Sequence, residues 1–329
     1  MDEWLYEDGI GEARALQLVN GAVAAIRIER QGWPRAGTVI GTARLRKKLG
    51  HRALVDIGHD REALLSPIPP GATEGADLTV EITREAMRER GRPKLPLARP
   101  SAAPASAGQD LRARIGGEGA VRDLRADGAE SLGDHGWDDL LEQARQGLVP
   151  FDGGSLRIEH TAAFTCIDVD GDLPPRALAL AAAPEVARAI ALFDLQGNIV
   201  VDFPTLADKA DRAALAALFD DRCGFACERT AVNGFGLLQI VRRRVRASVS
   251  ETLQGHAPAS TAIALLRRGE RSGGRGQLTL RAHPAVITWL ERHFPLVEEL
   301  ARRVGRPVVM DREPDFPVHG AETINEVEA

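Results

Sequence analysis

The chain has 329 residues, of which 44% are hydrophobic and 27% charged, and its formal net charge is −5. This length exceeds what one compact core usually holds, so we expect two or three modules, and the composition excludes a mainly disordered chain. The small negative charge confines any nucleic-acid surface to a local patch. The acidic N-terminus is unlike a signal peptide, no run has the ~20 apolar residues of a membrane helix, and three cysteines argue against a disulfide framework. A cytoplasmic protein is therefore expected.

The first part of the sequence is predicted to be rich in strands. Residues 14–29 are typical of a hairpin with Asn20-Gly21 as its turn. Short alternating runs then predict a small barrel or sandwich, at 38–45, 52–57, 63–65 and 78–84. The Pro/Ala/Ser-rich segment 97–108 is predicted to be a linker, and a short helix is predicted at 137–146.

From residue 153 the pattern changes to strands alternating with helices, which predicts an α/β core with some parallel pairing. The predicted strands are 155–159, 163–169, 198–203 and 236–242. The predicted helices are 184–193, with Pro184 in its first turn, and 212–219. A smaller α/β unit is predicted from helices at 259–268 and 284–303 and strands at 277–282 and 306–310, followed by a loose tail at 311–329.

Two aspartates close the strands on either side of the first helix, Asp168 and Asp202. If that helix is a crossover, the strands run parallel and bring both carboxylates to the same edge of the sheet. Two carboxylates so close repel each other unless a cation lies between them, and ligation by oxygen alone favours Mg²⁺, with Mn²⁺ as the alternative. Such a metal would polarise a phosphodiester and lower the pKa of water. Asp170 and Asp172 are placed to add to the site; alternatively, all are turn residues without a ligand.

Three motifs in this region resemble the catalytic region of the ribonuclease E/G family: GGSLRIEHTAAFTCIDVDGD at 153–172, LFDLQGNIVVDF at 192–203 and NGFGLLQIVRRR at 233–244. The resemblance implies that Asp168 and Asp202 bind Mg²⁺. It also implies a DNase I-like catalytic fold and internal cleavage of single-stranded RNA that leaves a 5′-phosphate. Asp170 stands where the family usually has an Asn that supports the first aspartate, so it either ligates metal or adds charge. The basic run Arg242, Arg243 and Arg244 is predicted to contact the RNA backbone.

A weaker resemblance extends towards the N-terminus. The run ALVDIGHDREALL at 53–65 is similar to the family's OB-fold RNA-binding domain, although leucine and isoleucine (Leu54, Ile57, Leu64) stand where the family presents aromatic residues. Stacking should therefore be weaker, and a basic run that includes Arg92 and Lys94 is expected to contribute to RNA binding, unless it is only a solvated edge.

Two other features of the family are only partly present or missing. The run ARIGGEGAVRDL at 113–124 resembles the pocket that senses an RNA 5′-monophosphate, with Arg114 as its phosphate ligand, but Ile115 replaces a threonine. The Cys-x-x-Cys pair that shares zinc between subunits is missing from 245–255. Cys223 and Cys227, at a different spacing, are expected to be ordinary thiols. We therefore predict no zinc, and any oligomer is expected not to be zinc-linked.

The predicted fold class is a multidomain α/β and β protein with an OB-fold barrel, a mixed-sheet α/β catalytic domain and a small C-terminal α/β unit. The predicted domains are an N-terminal hairpin that packs on the catalytic part (1–33), the OB-fold (34–99), a linker with a reduced sensor-like segment (100–150), the catalytic domain (151–247), the C-terminal unit (248–310) and the tail (311–329). The predicted function is that of a Mg²⁺-dependent endoribonuclease with single-stranded RNA as its partner. The alternatives are a non-catalytic RNA-binding or ribosomal-RNA maturation factor on the same scaffold, and a nuclease that also cuts DNA.

Overall fold

The computed structural model describes residues 2–89, 92–125 and 128–325, and the side chains of residues 88–93 are outside this description. Contacts divide the chain into two compact units. One unit comprises Met1–Gln31, Gly119–Leu141 and Thr252–Ala329, and the other comprises Gly32–Glu118 and Glu142–Glu251. The second unit therefore holds both the predicted barrel and the predicted catalytic sheet.

The chain begins with an antiparallel meander of three strands, β1 (Glu3–Gly9), β2 (Glu12–Val19) and β3 (Ala22–Arg30). The turn between β2 and β3 is the one predicted, because Asn20 (φ 52°) and Gly21 (φ 80°) both adopt the left-handed conformation of a type I′ hairpin. The meander belongs to the first unit.

Seven strands follow: β4 (Val39–Leu49), β5 (Arg52–Asp56), β6 (Glu62–Leu65), β7 (Asp77–Arg84), β8 (Met87–Glu89), β9 (Arg92–Lys94) and β10 (Leu97–Pro100). Five of them close a barrel in the order β10-β6-β5-β4-β7, and β8 and β9 form a separate hairpin. Of the two predicted architectures, a small barrel or a sandwich, the structure has the barrel. The linker predicted at 97–108 is wrong over its first residues, because Leu97–Pro100 closes the barrel between β6 and β7.

The next segment contains a short helix α1 (Leu111–Gly116), strand β11 (Ala120–Asp123), a 3-10 turn (Leu132–His135) and helix α2 (Trp137–Gln146). Helix α2 has the predicted limits. Strand β11 pairs in parallel with β1 and completes a four-stranded sheet of the first unit.

The mixed sheet of the second unit has six strands in the order β12-β13-β14-β15-β17-β16. They are β12 (Leu148–Phe151), β13 (Gly154–His160), β14 (Thr165–Gly171), β15 (Gly197–Asp202), β16 (Glu228–Arg229) and β17 (Leu237–Arg242). Helix α3 (Pro175–Leu192) crosses over from β14 to β15, and α4 (Lys209–Arg222) follows β15 and packs on α3. Strands β14 and β15 are parallel neighbours, as predicted. One face of the sheet is apolar and packs on α3.

Helix α3 begins nine residues before the predicted start, so Pro184 lies inside it and Pro175 occupies the first turn. The alanine-rich stretch before Pro184 has strong helix propensity, and its residues Ala179, Ala182 and Ala183 are fully buried. An internal proline removes one backbone hydrogen bond, which costs about 3 kcal/mol in an exposed helix. Burial on both sides of Pro184 offsets that cost.

The last segment contains α5 (Val249–Gln254), α6 (Ala257–Arg271), β18 (Leu278–Ala282), α7 (Pro284–Arg292), α8 (Phe294–Val304), β19 (Val308–Arg312) and β20 (Ala321–Asn325). The single helix predicted at 284–303 is two helices, because Pro295 lacks a backbone donor and lies in the first turn of a new one. The loose tail is also wrong up to residue 325, because β20 pairs with β18 along its whole length. Nowhere in 2–89, 92–125 and 128–325 is a helix both long and apolar enough to span a membrane.

Candidate metal and phosphodiester site

Asp168 and Asp202 are direct neighbours across β14 and β15, where the parallel register pairs their Cα atoms. Adjacent strands are about 4.8 Å apart, so the two carboxylates leave the sheet side by side. Both belong to the sheet face that does not carry the core, since Ile167 and Val201 beside them are fully buried. The crossover of α3 thus produces the geometry expected from the sequence.

The electrostatics of this pair favour a cation. Burial raises the pKa of Asp168 above its usual range, and the negative charges of Asp170 and Asp202 raise it further. Arg157, which faces Asp168 from β13, and the Val169 N–H act in the opposite direction but do not cancel the effect. The carboxylates therefore repel one another in the metal-free protein, and a divalent cation would relieve that repulsion.

This repulsion predicts that Asp168→Asn stabilises the metal-free protein. The pKa of this carboxyl is higher in the folded protein than in the unfolded chain. Its contribution to stability is therefore complete below the pKa of the unfolded chain and is lost as the pH rises through the pKa of the folded protein. At pH 7 with EDTA, we expect the variant to gain roughly 0.5–2 kcal/mol in free energy of unfolding. Thermal melts would measure the gain. The control is Asp221→Asn, because Asp221 is highly exposed and its ion pair with Arg222 is long, 3.9 Å. Lower stability of Asp168→Asn than of this control would contradict the prediction.

Asp170 and Cys166 flank Asp168 on the same strand face. Asp170 is exposed and pairs with Ser155 of β13. Burial and the charges of Asp168 and Asp202 raise the pKa of the Cys166 thiol, which therefore stays protonated near neutral pH. Among the residues that the structure describes, no three His, Cys, Asp or Glu side chains are grouped closely enough to hold a metal ion. The geometry thus fits a site of two carboxylates, with Asp170 as a nearby charge.

A tight loop lies at the same end of the sheet, between β16 and β17. The Asn233 Oδ1 atom accepts hydrogen bonds from the backbone N–H groups of Phe235 (2.9 Å) and Leu237 (3.1 Å), and Leu237 is the cross-strand partner of Asp202. Thr205 Oγ1 donates to the Phe235 carbonyl at 3.3 Å. The loop therefore fixes Phe235, which is 80% exposed, at the same end of the sheet as Asp202.

Phe235 is a candidate site residue that sequence reasoning missed. The motif NGFG contributed to the resemblance, but its phenylalanine was not singled out. The sequence did contain a signal, because a large apolar residue stands between two glycines in a turn. Packing of the core does not require a phenylalanine at such a position. An exposed aromatic residue of this kind offers a stacking face to a nucleobase.

Gly236 makes this loop possible. Its φ is +92°, and a Cβ atom there would lie 2.1 Å from the Phe203 carbonyl oxygen. We expect Gly236→Ala to lower the free energy of unfolding by roughly 1–3 kcal/mol, as measured by urea denaturation. Gly234→Ala is the matched control, because a Cβ atom at Gly234 has nothing within 4 Å. Equal stability of the two variants would contradict this account of the loop.

The structure separates the basic run from the aspartates. Strand β17 runs antiparallel to β15, so Arg242 lies opposite Gly197, five residues along the strand from Leu237, or roughly 17 Å at the usual rise. The Arg242 guanidinium lies over the Phe225 ring (4.4 Å), donates to the Leu195 carbonyl (2.6 Å) and approaches Asp194 (3.6 Å).

The two arginines that follow Arg242 differ in their exposure and in their partners. Arg244 forms an ion pair with Glu251, whereas Arg243 is exposed. RNA contact by this run stays a prediction, and it would take place at the other end of the sheet.

The remaining predicted RNA-binding residues are dispersed. Lys94 is half-buried in β9, and the side chain of Arg92 lies outside the described residues. Arg114, in α1, donates to the Gln109 carbonyl at 3.1 Å. Its neighbour Ile115 is only 1% exposed, so this position is a core residue and not a second phosphate donor.

Two of the three barrel positions predicted to replace aromatics are partly exposed. Leu54 and Leu64 pair across β5 and β6 and are half-buried, whereas Ile57 belongs to the barrel core. Ile57, which is only 7% exposed, therefore offers no surface for base stacking.

Cys223 and Cys227 lie near each other, with 3.5 Å between their sulfur atoms. Burial and the neighbouring Cys223 raise the pKa of the Cys227 thiol to about 11. Cys227 is thus a protonated thiol at neutral pH. The absence of zinc stays a prediction.

Residues 126–245 match the model of the Ribonuclease E/G family. The chain is 37% identical over 116 residues to the "Ribonuclease E/G-like protein, chloroplastic" of Arabidopsis thaliana, covering 30% of this chain and 11% of that protein. It is 31% identical over 132 residues to the "Ribonuclease E" proteins of Escherichia coli (strain K12) and Haemophilus influenzae, covering 36% of this chain and 12% and 14% of theirs.

The aligned region thus spans at most about a seventh of each of these relatives. Within it, the ribonuclease E/G resemblance inferred from the three motifs is confirmed. The segment 126–245 contains both aspartates, the Asn233–Gly236 loop and every strand of the six-stranded sheet.

Proposed function

We propose that this chain is a Mg²⁺-dependent endoribonuclease that cleaves single-stranded RNA and leaves 5′-phosphate ends. The observation that carries the proposal is the in-register pairing of Asp168 and Asp202 on parallel strands, inside the segment that matches the ribonuclease E/G family. The names of the relatives describe ribonucleases, and the substrate class is taken from them.

The donor set suits Mg²⁺. This ion is commonly bound by one or two carboxylates, with waters and substrate phosphate oxygens completing its octahedron. Asp168 and Asp202 supply two hard oxygen donors. Their mutual repulsion contributes to the raised pKa of Asp168, and a bound cation would relieve it. When bound there, Mg²⁺ would polarise the phosphodiester and lower the pKa of water. Mn²⁺ is the alternative ion.

The chain's own residues would position the RNA around this pair. Asp168 and Asp202 would hold the cation at the ends of β14 and β15, and the exposed charge of Asp170 would strengthen the local negative potential. Phe235 would stack on a base at the same end of the sheet. Arg243, at the opposite end, is exposed and free to meet a more distant backbone phosphate.

The test is cleavage of a 3′-labelled single-stranded RNA that begins with a 5′-hydroxyl, in Mg²⁺, with single-stranded DNA of the same sequence as the comparison. We expect internal cuts in the RNA, products with 5′-phosphates that a 5′-phosphate-dependent exonuclease degrades, and no cleavage in EDTA. Comparable cutting of the DNA would instead support a nuclease of broader specificity. Products with 5′-hydroxyls, or cutting in EDTA, would overturn the proposed chemistry.

A non-catalytic RNA-binding factor on the same scaffold is the second candidate. It is favoured by the core positions of Ile57 and Ile115, where the family would present groups to RNA. Calorimetric titration of the RNA-free protein with Mn²⁺ separates the two. Binding that is lost in Asp168→Asn supports the enzyme, whereas RNA binding without any metal binding supports the factor.

A further inference from the structure

A cavity of about 530 Å³ lies in the second unit, between helix α4 and the segment that leads into β17. The centre of its helical wall is apolar and small, and the ends of that wall are charged. The helix contributes Lys209, Arg212, Ala213, Ala216, Ala217 and Asp220, and the loop contributes Asn233. Alanines leave a flat apolar wall, because their side chains extend little from the helix. The volume is within the range of pockets that bind small ligands.

One end of the cavity lies at the aspartate end of the sheet. The Asn233 N–H donates to the Leu237 carbonyl at 3.0 Å, and Leu237 is the cross-strand partner of Asp202. Helix α4 begins seven residues after Asp202, since it starts at Lys209. The end of the cavity at Lys209 and Asn233 is therefore the end nearest to Asp202, and its other end extends away along the sheet, because Arg229 pairs with Ile240.

Positive charge borders the apolar wall at its Lys209 end, whereas Asp220 at the other end is neutralised by its ion pair with Arg229. Lys209 is exposed and, among the described residues, has no ion-pair partner. The Arg212 guanidinium is held at the cavity by its bonds to the carbonyls of Leu206 (2.6 Å) and Ala207 (2.8 Å). These carbonyls carry no net charge, so Arg212 retains a full positive charge for an anion.

We propose that this cavity is a nucleotide subsite that receives the base next to the scissile phosphate, with the adjoining backbone phosphate on Lys209 and Arg212. An apolar flat wall accepts the face of a base, and cations along its border match a phosphodiester. This inference rests on the proposed function, because it names the part of the RNA that the site holds beside its metal.

The test fills the cavity and measures RNA binding. Ala217 and Ala213 are exposed on α4, so Ala217→Phe or Ala213→Phe fills the cavity without disturbing a core. Ala214→Phe is the matched control, because Ala214 is also exposed on α4 but does not line the cavity. The probe is a fluorescein-labelled single-stranded decaribonucleotide, measured by anisotropy in EDTA so that no cleavage occurs.

We expect Ala217→Phe and Ala213→Phe to weaken binding about tenfold and Ala214→Phe to leave it unchanged. Lys209→Ala should lower the slope of log affinity against log salt by about 0.7, the loss of one phosphate contact to a single strand. Equal binding by the filled and control variants overturns the subsite.

The cleavage assay distinguishes this failure from failure of the proposed function. If the filled variants keep Mg²⁺-dependent cleavage and bind RNA as tightly as wild type, the endoribonuclease proposal stands and the subsite proposal fails. If the wild-type protein does not cleave RNA but the filled variants lose RNA binding, the subsite proposal stands and the endoribonuclease proposal fails.

Discussion

Asp202→Asn is expected to lower kcat/KM for single-stranded RNA on the order of 10³-fold. The substitution keeps the size of the side chain but removes one of two in-register charges, and Asp168 alone is a weak ligand for a divalent ion. The measurement is the initial rate of cleavage in saturating Mg²⁺. Affinity for the same RNA in EDTA should not decrease, because the lost charge repels phosphate.

Asp170→Asn is the informative comparison for this prediction. Asp170 is exposed and raises the pKa of Asp168, but the two-carboxylate geometry does not require it as a ligand. We expect a loss of about tenfold, the size typical of groups that support metal ligands. A loss equal to that of Asp202→Asn would make Asp170 a metal ligand. Full activity of Asp202→Asn would exclude the proposed centre.

The position of the aspartate pair was predictable because it depends on few residues. Two short apolar runs end in aspartate with a helical segment between them, and a crossover helix makes such strands parallel. The predicted neighbours β14 and β15 follow, and their register places Asp168 beside Asp202. The confirmed family resemblance over 126–245 is consistent with the same pairing.

The place of the basic run was not predictable from proximity in sequence. Arg242 comes six residues after Gly236, which suggests that it belongs to the same site. Because β17 runs antiparallel to β15, each residue after Leu237 lies farther from Asp202. Strand direction depends on how the 203–236 segment returns to the sheet, and no local pattern encodes that path.

Other predictions of secondary structure were wrong where tertiary contacts override the local conformational preference of the sequence. Pro184 has a strong tendency to begin a helix, but the buried alanines before it extend α3 to Pro175. The segment 97–108 has the composition of a linker, yet Leu97–Pro100 closes the barrel by pairing with β6 and β7. A strand at such a position is stabilised by its neighbours and has little propensity of its own.

Phe235→Ala is expected to weaken binding of single-stranded RNA by about 1–3 kcal/mol, the value of one base stacked on an aromatic ring. Phe235 is 80% exposed, so the substitution removes almost no packing, and the melting temperature should stay within about a degree of the wild-type value. Fluorescence anisotropy with a labelled oligoribonucleotide in EDTA measures the affinity.

Phe164→Ala provides the control for this prediction, because Phe164 is also partly exposed (38%) but precedes β14 at the end of the sheet away from Asp168. Phe235→Trp should bind at least as tightly as wild type, since the larger ring keeps the stacking face. If Phe235→Ala and Phe164→Ala lose affinity equally, the exposed ring contributes only general apolar surface. If only Phe235→Ala weakens binding and Phe235→Trp restores it, the base is recognised by stacking at the aspartate end of the sheet, which is where an endonuclease must hold its strand.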